Sequence, residues 1–248
     1  MNIYQNLVER ALPLARAKRI KKICVGINYT IVEIEKGGTG LVYTFRDTER
    51  IYELGEEINF WNASADIVIK GYLSHNPIEI SVGLATINAI FADKKENLKN
   101  AILGDIFSEI KFSPTDEILM IGYFESLFKK LEGRVKKIWV IEKNSENAEF
   151  TIKDLANKVN LVLITSSTLI NKTLEDILKD VEGVPEVLLI GPATPLNPEI
   201  FRFTPVTWLC GIVVKDSETL FKKVCEGKGI TAFFKSGAIE KINLRIKK

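Results

Sequence analysis

Four consecutive hydroxyl residues, Thr165-Ser166-Ser167-Thr168, form the densest group of hydrogen-bonding side chains in this sequence, and Asn171 and Thr173 follow closely. Together they supply the donors that an oxyanion or another polar ligand requires. Helix capping would employ one of these hydroxyls and leave the others unexplained, so ligand binding is the preferred reading.

Three further short motifs have the same character. Gly122-Tyr123-Phe124 offers a glycine where backbone can approach a ligand, with Phe124 beside it. Glu142 ends an apolar run at the place where dinucleotide-binding proteins hold a ribose hydroxyl. Gly191-Pro192-Ala193-Thr194-Pro195-Leu196 is stiff enough to fix a loop in one shape. A tight turn and a surface acid would also account for Gly122 and Glu142, and a structural turn for 191–196. The Gly-x-Gly-x-x-Gly fingerprint is absent, because Gly122 is followed by Tyr, Phe, Glu, Ser and Leu. This argues against an ordinary NAD site.

In the first half of the chain, Thr39 and Gly40 end the glycine-rich stretch 35–40, and Asn88 interrupts a strongly apolar helix. Asn88 needs hydrogen-bond partners if buried, whether it faces a site or anchors a loop. The glycine stretch serves equally as a hairpin turn. Side-chain metal ligands are sparse. His75 is the only histidine, and Cys24, Cys210 and Cys225 are scattered, so each cysteine is read as a small buried hydrophobe. A catalytic triad has no support, since there is neither a Gly-x-Ser-x-Gly elbow nor a credible histidine partner.

The elements that position these motifs follow from periodicity. Residues 3–18 carry an amphipathic helical pattern, and 23–34 and 41–46 read as strands flanking a hairpin loop. A short helix is expected over 64–73. Asn76-Pro77 is a helix start, and the apolar stretch behind it predicts a buried central helix. A charged helix over 94–110 and a linker over 111–116 follow. The rhythm then changes to short branched runs at 118–123, 137–141, 161–165, 187–190 and 209–214, as in a parallel sheet buried on both faces. The helix at 217–226 stops at Gly227. The fold class is α/β, with an α+β portion over 1–113 and a parallel-sheet portion over 114–248. In such sheets ligands sit at the C-terminal strand ends, which is where most of the motifs fall.

The 248 residues carry 34 basic and 32 acidic side chains, interleaved, with a net charge of +2. No basic stripe suggests nucleic acid, and no uncharged run suggests a membrane span. The amino-terminal stretch lacks a signal-peptide pattern, and the odd cysteine count gives no disulfide framework, so a cytoplasmic setting is expected.

The stretches 37–44, 83–89, 121–124, 164–174, 191–201 and 211–229 resemble a family of prokaryotic proteins labelled "putative heavy-metal chelation domain". The resemblance spans nearly the whole chain. It implies an enolase N-terminal-like domain followed by a Rossmann-like domain, with a site between them that handles heavy metals or metal chelates. Two departures stand out: no Gly-Asp pair follows Glu142, and Lys172 occupies a position where glycine is usual. The partner expected is a small anionic or metal-chelating molecule. The alternative is a nucleotide-type cofactor serving a transferase or oxidoreductase.

Overall fold

The structure is a computed structural model and describes residues 2–45, 59–93, 95–142 and 150–247. Arg46, Lys94 and the loop 143–149 therefore lie outside the described residues.

The first part begins with helix α1 (Ile3–Ala15), followed by strands β1 (Ile20–Val25), β2 (Tyr29–Ile34) and β3 (Thr39–Tyr43). The strands form an antiparallel sheet in the order β1-β2-β3. The run 23–34 is thus two strands rather than one. A turn at Gly26-Ile27-Asn28 divides it, and the Gly26 amide donates to the Tyr29 carbonyl. Continuous β-branched sequence gives no hint of this break except the Gly-x-Asn itself. Helix α2 (Ala65–Val68) continues into a 3-10 turn over Ile69–Leu73.

Helix α3 (Pro77–Ala92) is the centre of this part, and every residue from Ile80 to Phe91 is buried. The Asn76 side chain caps it by accepting from the Ile78 and Glu79 amides. The helix lies directly on β3, and Gly40 makes the approach possible. A Cβ at Gly40 would stand 1.9 Å from the Ala85 carbonyl oxygen and 2.7 Å from the Ala89 nitrogen.

Residues 94–110 do not form the expected helix. They contain 3-10 turns at Lys95–Leu98 and Ile106–Ser108 on either side of strand β4 (Ile102–Leu103). Apolar spacing alone suits a helix here, but the backbone groups are taken up by a sheet edge. The Asn243 amide donates to the Ile102 and Gly104 carbonyls, 3.2 and 3.1 Å away.

The second part alternates strand and helix. It runs β5 (Glu117–Ile121), α4 (Glu125–Leu131), β6 (Lys137–Ile141), α5 (Ile152–Ala156), β7 (Leu161–Thr165), α6 (Ser167–Ile170) and α7 (Leu174–Asp180). It continues through β8 (Glu186–Ile190), α8 (Pro198–Phe201), β9 (Trp208–Val214), α9 (Ser217–Cys225), α10 (Ile230–Lys235) and β10 (Ile239–Arg245). The seven-stranded sheet has the order β4-β10-β9-β8-β7-β5-β6. Strands β5 to β9 pair in parallel, whereas β10 and β4 are antiparallel additions at one edge. The α/β class, an antiparallel α+β portion followed by a mostly parallel sheet, is therefore as the sequence led us to expect. The parallel strands run β6-β5-β7-β8-β9, so the chain reverses its progress across the sheet between β5 and β7. In open α/β sheets such a reversal is where ligand crevices form.

Lys172, between α6 and α7, ties the two parts together. Its backbone sits in the left-handed region at φ 61°, which explains why glycine suits the position. Its ammonium donates to the Tyr72 carbonyl at 2.7 Å and lies over the Tyr72 and Tyr4 rings. Burial pushes the amine down to about 7, against the opposing pull of the Glu175 carboxylate.

Two expected outcomes follow from this packing. Gly40→Ala should destabilise the protein by about 1–3 kcal/mol or more, several degrees in Tm. Gly229→Ala, whose methyl would meet open space, should leave Tm unchanged; equal shifts would discredit the close-approach argument. For Lys172, an unfolded lysine titrates near ~10.4, so above pH 7 the unfolded chain holds more protons than the folded one. Stability should therefore rise with pH from about 7 upward through this group. Thermal unfolding between about pH 6 and 8.5 should show a slope that Lys172→Met flattens. Parallel curves for the two proteins would place the dependence elsewhere.

Candidate functional site

The parallel strands end together, and three backbone hydrogen bonds carry their pairing one residue further. The Gly122 amide donates to Ile141, Ser166 to Ile190 and Gly191 to Cys210, at 2.7–2.9 Å. At Gly122 and Gly191 the chain turns with φ of 83° and 134°. A side chain at Gly191 would also stand 2.4 Å from the Ser166 hydroxyl oxygen. The sharp exits leave room above the sheet, and a cavity of about 600 Å³ occupies it, within the range of small-molecule sites.

Its floor is made by the ends of β7, β8 and β9, with Thr165, Ser166 and Ser167 beside Gly191, Pro192, Cys210 and Gly211. Phe124 and Leu127 come from the start of α4. Asp105 and Ile106 follow β4, and Phe234, Lys235, Lys241 and Asn243 come from α10 and β10. The small sheet closes one side with Tyr29 and Tyr43. These stand opposite each other in the β2–β3 register, with ring centroids 6.0 Å apart in an edge-on arrangement.

The charge balance of the lining is positive. Among the described residues Asp105 is its one carboxylate, against Lys235 and Lys241. Burial works to raise the Asp105 carboxyl, but its ion pair with Lys130 and the Phe107 amide outweigh this and hold it below the usual range. Burial pushes the Tyr29 hydroxyl and the Cys210 thiol upward, so both remain protonated at neutral pH. Cys210 therefore presents a thiol and not a thiolate.

The sequence-selected residues separate into three groups. Phe124, Ser166, Ser167, Gly191 and Pro192 line the cavity. Thr39, Gly40, Asn88, Pro192 and Thr194 line a second, much smaller space of about 10 Å³, room for roughly one water. There the Asn88 side-chain amide donates to the Pro192 carbonyl at 3.4 Å, while its buried side-chain carbonyl oxygen has no hydrogen-bond partner among the described residues. The Thr194 hydroxyl is directed at the Leu189 and Cys210 carbonyls.

Gly122, Glu142, Thr168, Asn171 and Thr173 are not among the residues lining either space. The Thr168 hydroxyl donates to the Thr165 carbonyl at 2.6 Å, and the Asn171 carbonyl oxygen accepts from the Thr173 amide and hydroxyl. Glu142 is exposed behind β6, the outermost strand of the sheet.

Sequence reasoning missed Tyr29, Tyr43, Asp105, Phe234, Lys235 and Lys241. The first two were accessible in principle, since the hairpin register around 35–40 pairs them. The lysines carried no signal, because they lie among many interleaved charges. The cysteine reading needs correction as well. Only Cys210 is buried; Cys24 is half-buried and Cys225 exposed. Among the described residues no three His, Cys, Asp or Glu side chains converge, so they form no cage of the three or four protein ligands that zinc takes.

Comparison with known proteins places these features in a family. The chain is 24% identical over 233 residues to an uncharacterized protein of Methanocaldococcus jannaschii, covering 86% of this chain and 87% of that one. It shares its fold with a DUF364-family crystal structure from Pyrococcus horikoshii, of unknown function, at a TM-score of 0.83 and 22% identity, covering 98% of this chain and 100% of that one. A DUF364-family structure from Desulfitobacterium hafniense, also of unknown function, aligns at a TM-score of 0.73 and 20% identity, covering 97% and 98% of the two chains. A second family model, DUF4213, matches residues 8–91 and carries the same description as DUF364, "Putative heavy-metal chelation". With the DUF364 model matching residues 105–243, more than half its length, this chain belongs to the DUF364 family.

Proposed function

We propose that the cavity binds a small organic anion with a flat apolar body, of the kind that chelates a metal ion. The observation that carries this reading is the convergence of three chemistries on one cavity. Tyr29, Tyr43, Phe124 and Phe234 provide aromatic surface, Lys235 and Lys241 provide positive charge in excess of the Asp105 carboxylate, and Thr165 and Ser167 provide hydroxyl donors. Aromatic faces select the flat body, lysines attract the anionic groups, and hydroxyls fix their direction.

The family description supports the metal half of the reading. Because the described side chains make no cage of their own, the metal would be carried by the ligand. A borderline ion such as Zn(II) would take its ligands from the carboxylates and ring nitrogen of such a molecule. The nucleotide-cofactor alternative rested on Glu142, which is not among the residues lining the cavity, and we do not favour it.

Pyridine-2,6-dicarboxylate, free and as its Zn(II) chelate, is a suitable probe. Calorimetric titration of the full chain should show binding to one site, and mass spectrometry of freshly purified protein should show a small anion co-purifying. Failure of both would sink the reading.

Within this site the hydroxyls should divide. Ser167→Ala should weaken probe binding about ten- to a hundredfold, as expected for a lost hydrogen bond to a charged group, with little change in Tm. Thr168→Val should instead lower stability by about 1 kcal/mol and leave affinity alone. If Thr168→Val reduced affinity as much as Ser167→Ala, our division would be wrong. Lys235→Ala and Lys241→Ala should each weaken binding and reduce its sensitivity to salt. Unaltered salt dependence in the double variant would exclude them from the site.

A further inference from the structure

Cys24 and Cys225 are 201 positions apart in sequence, yet their sulfur atoms are 3.3 Å apart. One is on β1 of the small sheet; the other is the last residue of α9, which packs against β1 and β2. Neither lines the cavity, so the pair is independent of the function proposed above. Cys225 is exposed, which opens the pair to solvent.

Burial, then the hydrogen bond and charge of Cys225, push Cys24 up to about 12. The pair also sits at the C-terminal end of α9, where the helix dipole disfavours negative charge and favours a cation. Among the described residues no third His, Cys, Asp or Glu joins the two sulfurs. A tetrahedral Zn(II) site, which takes four ligands, is therefore not what these residues offer. Two thiolates alone suit a soft cation that accepts linear coordination.

We propose that Cys24 and Cys225 form a two-sulfur site for one soft d10 cation of the Cu(I) or Hg(II) type. Both thiols give up their protons to solvent, two metal–sulfur bonds form, and no electron is transferred. With each metal–sulfur bond about 2.3 Å, the sulfurs must separate to about 4.6 Å. Rotation of the exposed Cys225 side chain provides that movement. The bound ion then ties the small sheet to α9.

The test is anaerobic titration of the reduced 248-residue chain with Cu(I), followed by its sulfur-to-metal charge-transfer absorption. The expected result is one equivalent per chain, two protons released per ion, and two of the three thiols protected from alkylation. Cys24→Ser and Cys225→Ser should each lose stoichiometric uptake, whereas Cys210→Ser should retain it. The proposal is overturned if the reduced wild-type protein takes up no Cu(I). It is equally overturned if either single variant still binds a full equivalent, or if Cys210→Ser abolishes uptake. Proton release and thiol protection are read on the wild-type protein, so they decide the matter even if a variant fails to fold.

Discussion

The constraint on which this structure depends is a helix with no exposed face. From Ile80 to Phe91 every residue of α3 is buried and most are apolar, so the rest of the chain must enclose it. On one side β2 and β3 close over it, in a contact close enough that Gly40 has no room for a methyl group. On another, Tyr72 packs against it and sends its hydroxyl to the Leu169 carbonyl at 2.8 Å. The third covering comes from the large sheet, where the loop after β8 meets Asn88 through the Pro192 carbonyl. Enclosing α3 therefore brings the small sheet against the strand ends of the large one. The cavity lies along that junction, because Tyr29 and Tyr43 are on the hairpin that α3 positions.

A second constraint acts at the strand ends. Adjacent parallel strands bring Thr165, Ser166, Gly191 and Cys210 within a few ångströms of one another, and their backbones must then diverge into helices. Gly122 and Gly191 accomplish this by adopting left-handed φ values, while the hydroxyls satisfy the backbone groups that the turns expose. The same chemistry serves two purposes, which explains why a run of four hydroxyls is ambiguous in sequence. Thr168 satisfies the Thr165 carbonyl, and Ser167 remains on the cavity side. Lys172 illustrates the reverse case, a residue that tolerates left-handed backbone because its long side chain is held by Tyr72 across the junction.

Much of the fold was legible because its signals are local. The Asn76-Pro77 helix start, the apolar α3 and the five branched strand runs each depend on residues close together in sequence. Where local pattern and tertiary pairing disagree, the sequence misleads. Residues 94–110 have helical spacing, yet β10 and Asn243 recruit them into a sheet edge more than a hundred residues away. The continuous run at 23–34 hides a turn marked locally by nothing but Gly26-Ile27-Asn28 and set by the antiparallel pairing of β1 with β2.

The site divides along the same line. By itself the sequence determined that strand-end loops rich in glycine and hydroxyls would gather at one edge of a parallel sheet, because strand direction and loop position are set by order along the chain. Tertiary structure alone decided which side chains in those loops face the cavity, since a hydroxyl and its neighbour differ only in which way the turn rotates them. It also decided the charge of the site: Lys235 and Lys241 are two of many lysines until α10 and β10, which pairs with β9, bring them to the cavity. The pairing of Cys24 with Cys225 is of the same kind, because proximity between residues 201 positions apart follows from how α9 docks on β1 and not from any spacing.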